Sequence, residues 1–272
     1  MSAAQATSMP NEPILSVRNL VKRFGGLTAV DDVSLDIRPG EVVGLVGDNG
    51  AGKSTLIKCV SGVYHPDGGR VYFEGKQVHF SRPIEAREAG IETIYQDLAL
   101  AGNLDVSANI FLGREVKRRY LGGVVRTLDE KHMLDESVGI LDNLGIHIPQ
   151  MRKEIEKLSG GQRQAVAIAR AIYWNARMMI MDEPTNNLGV PEQRKVMELI
   201  ATLKEKGVPV IFISHTLPDV FAATDRIVIM HRGRKVAEMP SADTDTTEVV
   251  EYMVGAREMD TRMGAGAGAV SA

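Results

Sequence analysis

The chain has 272 residues, 44% of them hydrophobic and 25% charged, and its formal net charge is −3 at pH 7. These proportions predict a globular protein with a buried core, and they exclude extensive disorder and a general electrostatic attraction to nucleic acid or anionic membranes. The single cysteine, Cys59, excludes an internal disulfide, and its apolar neighbours favour a buried helical thiol over a reactive one.

The two ends of the chain are predicted to be disordered. Residues 1–12 are small and polar and have neither the basic start nor the cleavage pattern of a targeting segment. The Gly-Ala repeat from Gly264 has too little side chain to pack. We therefore place the folded domain at residues 13–256 and a second tail at 257–272. Since no apolar run approaches the roughly 20 residues that cross a bilayer, the chain is expected in the cytosol.

Short β-prone segments occupy the first third of this domain. They are Ile14–Arg18, Ser34–Ile37, Arg70–Phe73 and Lys76–Phe80. Asp67-Gly68-Gly69 and Glu74-Gly75 punctuate the later ones as turns. The pattern predicts an antiparallel sheet that flanks the main sheet.

A glycine-rich segment follows the apolar run Val42–Val46 and opens an apolar helical pattern. The segment consists of Gly47, Asp48, Asn49, Gly50, Ala51, Gly52, Lys53, Ser54 and Thr55. Its spacing is that of a phosphate-binding loop, where glycines let backbone N–H groups point at phosphate oxygens and a helix N-terminus adds positive potential. Lys53 is predicted to reach the β- and γ-phosphates, Ser54 to bind Mg²⁺, and Thr55 to support the phosphates. A chance match without a ligand is the alternative.

Between Asp97 and Lys157 the apolar β-type runs give way to helical patterns. Thr127–Glu130 fits a capping box ahead of a helix at Met133–Leu144. We interpret residues 97–157 as a helical subdomain. The basic residues Lys117–Arg119 are expected in one of its loops, where solvation is favoured over a phosphate or partner role.

Glycines recur at the start of the next helical pattern. It opens with Leu158, followed by Ser159, Gly160, Gly161 and Gln162. A serine and two glycine amides at a helix start are suited to bind a phosphate. In isolation, a glycine-rich helix start without a ligand explains the segment equally well.

Two further apolar runs end in polar residues, and the two acids after the first of them are candidates for catalysis. Met178–Met181 precedes Asp182 and Glu183, and Val208–Ser214 precedes His215. Asp182 is placed to hold Mg²⁺ through water, and Glu183 to polarise an attacking water as general base. Taken alone, the two acids are also explained as helix-capping residues.

The three long apolar runs predict a parallel sheet that is covered on both faces, which makes the fold class α/β. A helix is predicted between two of them, at Glu192–Lys206, with an apolar stripe on one side. Pro191 at its start and Gly207 at its end fit the residue preferences of helix termini.

The phosphate loop, the Leu158–Gln162 segment and the carboxylate pair together resemble the motifs of ATP-binding cassette (ABC) proteins, over about residues 13–256. The resemblance implies a P-loop NTPase fold of the ABC ATPase type, with a parallel core sheet, an antiparallel β flank and a helical subdomain. It also implies a head-to-tail dimer that sandwiches two MgATP. In that dimer, Ser159, Gly160, Gly161 and Gln162 of one chain face the phosphate loop of the other.

Other residues acquire roles only through this resemblance. Gln96 matches the glutamine that touches Mg²⁺ and water and links to the helical subdomain, and His215 matches a histidine that contacts the γ-phosphate. Phe24 matches an aromatic residue that stacks on adenine. Gly189 departs from the pattern because most cassettes carry an aspartate there, which leaves open how the two sites communicate.

The nearest resemblance is to the ATPase subunits of bacterial monosaccharide importers of the ribose and fructose type. It is carried by Ile91–Leu100, Asn109–Glu115, Gln77–Phe80 and Leu188–Val190. A single set of motifs implies a homodimer at the cytoplasmic face of the inner membrane. Two integral-membrane permeases would dock on residues 96–114, a periplasmic sugar-binding protein would complete the system, and no nucleic acid is expected.

Other functions remain as alternatives. Amino-acid import or export is the main one, and pairing with a different cassette is also open. A soluble ABC ATPase acting on DNA or ribosomes would carry tandem cassettes or a long coiled coil, and neither feature is in the sequence. A small kinase or GTPase would leave Leu158–Gln162 unexplained. The identity of the sugar is not encoded, because the sugar does not touch this subunit.

Overall fold

The computed structural model of the chain describes residues 12–95, 98–120, 125–186 and 188–257. The predictions on the two tails and on Gln96 lie outside these residues, apart from the tail positions Glu12 and Arg257.

Strands and helices alternate along most of the chain. The strands are β1 (Leu15–Phe24), β2 (Leu27–Ile37), β3 (Val42–Gly47), β4 (Gly68–Phe73), β5 (Lys76–Val78), β6 (Ile91–Ile94), β7 (Lys117–Tyr120), β8 (Val125–Leu128), β9 (Met178–Asp182), β10 (Val210–Ile213), β11 (Arg226–His231) and β12 (Arg234–Pro240). The α-helices are α1 (Lys53–Val60), α2 (Pro83–Ala89), α3 (Val106–Ile110), α4 (Glu130–Asn143), α5 (Gly160–Tyr173), α6 (Val190–Glu205), α7 (Leu217–Ala223) and α8 (Thr246–Met253). Short 3-10 turns lie at Ile155–Lys157 and Ser241–Asp243.

Within the described residues, the main sheet has the strand order β12-β11-β3-β10-β9-β6. All neighbours pair in parallel except β12, which lies antiparallel at one edge. Val43 and Leu45 point into one buried cluster and Val42 and Val46 into the other, so β3 is covered on both faces. The three apolar runs are therefore neighbouring parallel strands, and the predicted α/β fold class is confirmed.

The antiparallel flank is also confirmed, although β1, β2 and β4 are longer than the sequence indicated and β5 is shorter, ending at Val78 rather than Phe80. The order is β2-β1-β4-β5 in the described part of the chain. Strand β1 continues to Phe24, and β2 begins at Leu27. Phe24, the predicted adenine-stacking residue, is therefore the last residue of β1, directly before the turn to β2.

The prediction of a purely helical insert is wrong at one place. Strands β7 and β8 form a hairpin in which Lys117 pairs with Leu128 and Arg118 with Thr127, so the basic residues do not lie in a loop. Thr127 is in a strand, and the helix cap is Asp129, whose side chain accepts from the His132 N–H. A hairpin with charged, solvated side chains lacks the apolar alternation by which strands are recognised.

Two local predictions about buried residues are confirmed. Helix α6 buries Val196, Leu199, Ile200 and Leu203, although it begins at Val190, two residues earlier than predicted. Cys59 is buried, and burial raises the pKa of its thiol to about 11.

Arg226 ties the flank to the main sheet. The residue is 9% exposed, and its guanidinium donates to both carboxylate oxygens of Glu41, at 2.8 and 2.9 Å, and to the Asp36 carbonyl at 2.7 Å. It also bonds Glu238 on β12. One side chain thus joins the end of β2, the start of β3 and the edge strand.

We expect Arg226→Ala to lower the free energy of unfolding by roughly 3 kcal/mol, because it leaves two carboxylates without their buried cation. Urea denaturation would measure the change. The matched control is Arg234→Ala, which removes an exposed pair with Asp31 and should change stability by about 0–1 kcal/mol. Equal effects of the two substitutions would show that Arg226 does not act as a structural tie.

Candidate functional site

The phosphate loop is held between the main sheet and the flank, and two of its glycines are required by the fold. Gly47 has φ +150°, and a Cβ there would lie 2.3 Å from the Met230 carbonyl oxygen. Gly52 has φ +101°, and its Cβ would lie 2.4 Å from the Ala29 carbonyl oxygen. The backbones of β11 and β2 therefore approach the loop too closely for any other residue.

Lys53 is the first residue of α1, and its side chain curls back across the loop. Its Nζ donates to the carbonyl oxygens of Gly47 at 2.6 Å and Asp48 at 3.1 Å. Burial lowers the pKa of the Lys53 ammonium, and the carboxylates of Glu183 and Asp182 oppose this shift. The cation thus lies beside the first-turn N–H groups of α1, which have no acceptor within the helix.

Asp182 and Glu183 follow one another at the carboxyl end of β9. Burial, with the neighbouring Glu183 charge, raises the pKa of Asp182, and Lys53 opposes the rise. Glu183 has φ +54°, in the left-handed region that costs energy for residues other than glycine. Its N–H donates to the Ile213 carbonyl at 2.9 Å, which ties this turn to β10. Strain of this kind is found at functional sites.

His215 follows β10 and meets the same glutamate. Its Nδ1 lies 2.6 Å from Glu183 Oε2, within hydrogen-bond distance. The imidazole is largely exposed, with a relative side-chain exposure of 62%. Since β9 and β10 are parallel neighbours, residues just beyond their carboxyl ends are brought together by the sheet itself.

One cavity of about 620 Å³ brings most of the predicted residues together. It is lined by Phe24, the phosphate loop from Asn49 to Thr55, Asp182 and Glu183. The Phe24 ring is 43% exposed and packs edge-to-face on Tyr64, with centroids 5.2 Å apart. An apolar ring, a cation and two carboxylates thus share one surface.

The cavity has four more lining residues that the sequence analysis missed. They are Leu27, Thr28, Ala29 and Arg232. The first three come from the β1–β2 turn and the start of β2, and Arg232 comes from the turn between β11 and β12. Apart from their closeness to Phe24, no sequence pattern marks them, because the tertiary fold brings these turns to the cavity.

The oxygen donors of the cavity are compatible with a magnesium ion that arrives with phosphate. Among the described residues, no group of three or more His, Cys, Asp or Glu side chains is arranged to hold a metal. The Ser54 hydroxyl and the Asp182 carboxylate do line the same cavity. Mg²⁺ is commonly bound by one or two such oxygens together with substrate phosphates and water.

The segment at the start of α5 lies elsewhere. Ser159 accepts from the Gln162 N–H at 3.3 Å, and the Gln162 side chain accepts from the Ser159 N–H at 3.0 Å, which forms a capping box. With Gly161 they line a second cavity of about 210 Å³. Among the described residues, this cavity shares no lining residue with the first. The fold therefore does not bring this segment to the phosphate loop of its own chain.

Across the described ranges, no helix combines the length and the apolar character that crossing a membrane requires.

Comparison with known proteins identifies similar chains. The family described as ABC transporter matches residues 30–186. A fructose import ATP-binding protein of Rhizobium meliloti is 46% identical over 252 residues, which are 92% of this chain and 97% of that protein. A xylose/arabinose import ATP-binding protein of Sulfolobus acidocaldarius is 49% identical over 240 residues, 88% of this chain and 93% of that protein. Among solved structures, an ATP-binding cassette of an ABC transporter aligns with a TM-score of 0.76 at 30% identity, covering 90% of this chain and 98% of that one.

Proposed function

This chain belongs to the ABC transporter family, and we propose that it is the ATP-hydrolysing subunit of an importer of simple sugars. The observation that carries the ATPase role is the single cavity that joins Phe24, the phosphate loop and the two carboxylates. The sugar assignment is supported by relatives that are named for the import of fructose and of xylose or arabinose.

Binding of MgATP follows from the order of groups along this cavity. The adenine stacks on the exposed face of Phe24, and the phosphates bind the loop N–H groups and the N-terminus of α1. Lys53 exchanges its bonds to two loop carbonyls for bonds to the β- and γ-phosphates. A Mg²⁺ ion that arrives with ATP would be held by the Ser54 hydroxyl directly and by Asp182 through water, and it would offset negative charge on the phosphates.

Hydrolysis requires a base beside the γ-phosphate. Glu183 accepts a proton from the attacking water, and water attacks phosphorus in line with the departing ADP. His215 holds the Glu183 carboxylate and contacts the γ-phosphate, since its ring is both bonded and exposed. Gln96, which lies outside the described residues, keeps its proposed place at Mg²⁺ and water.

The remaining half of each site comes from a second copy of the chain. Ser159, Gly160, Gly161 and Gln162 offer a capped helix start that is separate from the phosphate loop of the same chain. A head-to-tail homodimer would place this segment over the γ-phosphate of the partner, so each of two MgATP is bound by both chains. Closure around ATP then precedes hydrolysis, and release of phosphate reopens the dimer.

The movement is passed to two integral-membrane permeases at the cytoplasmic face of the membrane. The proposed docking face spans residues 96–114 and includes α3. Support for a mechanical link comes from Trp174, the C-cap residue of α5, which is the helix that begins with Gly160 and Gly161. Its indole N–H donates to the Ile110 carbonyl at 2.9 Å, and the Arg114 guanidinium lies 4.8 Å from its ring centroid. A periplasmic sugar-binding protein supplies the sugar on the other side.

The test is reconstitution of the chain with its permeases and its periplasmic protein in liposomes. We expect ATP-dependent uptake of one radiolabelled sugar among fructose, xylose and ribose, and no uptake of glutamine. Uptake of glutamine alone would favour the amino-acid alternative. Absence of ATPase activity in the isolated chain and in the assembled complex would reject the ATPase role itself.

A further inference from the structure

The segment that follows the catalytic carboxylates folds onto the glycines at the start of α5. A Cβ added to Gly160 would lie 2.6 Å from Leu188 Cδ2, and one added to Gly161 would lie 2.7 Å from Glu192 Cγ. The two glycines therefore leave room for the side chains of Leu188 and Glu192. The proposed second phosphate site thus rests on residues 188–192 of its own chain.

Glu192 also covers Gly189. The Gly189 backbone has φ −68° and ψ 161°, a conformation that any residue adopts, so the backbone does not require glycine. A Cβ on Gly189 would instead lie 2.8 Å from Glu192 Oε2 and only in ordinary contact, at 3.7 Å, with Pro191 Cδ. The Glu192 carboxylate stands where a side chain of residue 189 would begin.

The carboxylate is available for a further contact. Among the residues that the structure describes, Glu192 has no hydrogen-bond or ion-pair partner. A favourable interaction with the α6 helix dipole explains why an acidic residue lies in the first turn. It does not explain why the Glu192 side chain extends over Gly161 and Gly189.

The surrounding turn is fixed and leads back to Glu183. The Gln193 side chain donates to the Leu188 carbonyl at 3.2 Å, and Thr185 Oγ1 donates to Asp219 at 2.9 Å. The Asn186 N–H donates to the Glu183 carbonyl at 3.1 Å. The Gln193 side chain also donates to the Thr185 carbonyl at 3.4 Å, so the start of α6, which carries Glu192, is bonded to the turn that follows Glu183.

We propose that Glu192 is a positioning residue that couples the two nucleotide sites, its carboxylate replacing the one that Gly189 lacks. The inference rests on the head-to-tail dimer of the proposed function. In that dimer the carboxylate accepts a hydrogen bond from the phosphate loop of the second copy, on which Asn49 is exposed. Glu192 thereby contacts the ATP-binding loop of one site and positions the Glu183 of the other.

The first experiment separates charge from packing. In a Glu183→Gln background, sedimentation velocity would give the MgATP concentration at which half of the chain is dimeric. We expect Glu192→Gln to raise this concentration about tenfold. A hydrogen bond to a charged group stabilises a complex more than a neutral one does, and the difference in free energy corresponds to about a tenfold change in the equilibrium constant. The amide keeps the side-chain stem on Gly161, so a packing role alone predicts no change. Glu205→Gln, at the exposed C-terminal end of α6, is the control.

The second experiment moves the carboxylate. Gly189→Asp alone places two carboxylates in contact and should impair dimerisation. In a Glu192→Ala chain the same substitution should restore it, because the space at residue 189 is then open. In chains that keep Glu183, steady-state ATPase should lose its cooperativity with Glu192→Gln and regain it in the swapped variant.

Three outcomes would overturn the inference, and they are distinguishable. If Glu192→Gln dimerises at the parent MgATP concentration, or if the swapped variant stays impaired, Glu192 does not couple the sites while the dimer stands. If the Glu183→Gln parent never dimerises with MgATP, the proposed dimer fails and this inference fails with it. Thermal unfolding of each variant checks that all of them are folded.

Discussion

Glu183→Gln is expected to lower the rate of ATP hydrolysis by roughly two to four orders of magnitude, the usual contribution of a general base. The amide cannot take the proton of the attacking water. It keeps the shape of the side chain and an oxygen that can stay within reach of His215 Nδ1, 2.6 Å away in the unmodified chain. MgATP binding should therefore survive, and the chain should accumulate as an ATP-bound dimer.

Two measurements check this result. Phosphate release gives the hydrolysis rate, and size exclusion with and without MgATP gives the state of assembly. Glu205→Gln, at the exposed end of α6, is the matched control and should behave as the unmodified chain. A Glu183→Gln chain that hydrolyses ATP normally and never dimerises would remove Glu183 from the role of base.

Lys53→Ala is expected to weaken MgATP binding by about a hundredfold, because two charge-assisted hydrogen bonds to phosphate contribute on the order of 3 kcal/mol. The ammonium is the one cation of the phosphate-loop segment itself. Burial lowers the pKa of the Lys53 ammonium, while the negative charges of Glu183 and Asp182 raise it. The negative charges of the bound phosphates will raise it further, so Lys53 should stay charged when ATP binds.

A fluorescent ATP analogue, titrated with Mg²⁺ present, measures this change. Lys53→Arg should remain strongly impaired, because the loop carbonyl of Gly47 lies only 2.6 Å from Nζ and leaves little room for a guanidinium. Lys206→Ala, at the exposed end of α6, is the neutral control. Unchanged affinity in Lys53→Ala would mean that the loop does not hold the phosphates.

The central strands could be predicted from sequence because their signal is local. Strands β3, β9 and β10 are buried on both faces, so they appear as continuous apolar runs between turn residues. The β7–β8 hairpin could not be predicted in this way. Its first strand begins with Lys117 and Arg118, and charged strands have the composition of a loop.

The same distinction applies to the candidate site. The phosphate loop and the Asp182-Glu183 pair are contiguous motifs, so the sequence could propose them, but only the resemblance favoured a catalytic role of the two acids over helix capping. The position of Glu192 over Gly161 and Gly189 depends on how α6 packs against the start of α5. From the sequence, Gly189 could only be read as a missing carboxylate, since nothing in the sequence indicates a side chain that replaces it.

The tie made by Arg226 has a consequence for ligand selection. Phe24 belongs to the flank and Asp182 to the main sheet, and Arg226 bonds both bodies at once, through Asp36 on β2 and Glu238 on β12. The ring proposed to stack on the base and the carboxylate proposed to bind Mg²⁺ are therefore held at a fixed distance from each other. A ligand that is too short or too long for this distance cannot contact both Phe24 and Asp182. Substitutions that weaken the Arg226 hydrogen bonds should reduce the discrimination between nucleoside triphosphates and diphosphates under conditions in which the chain is still folded.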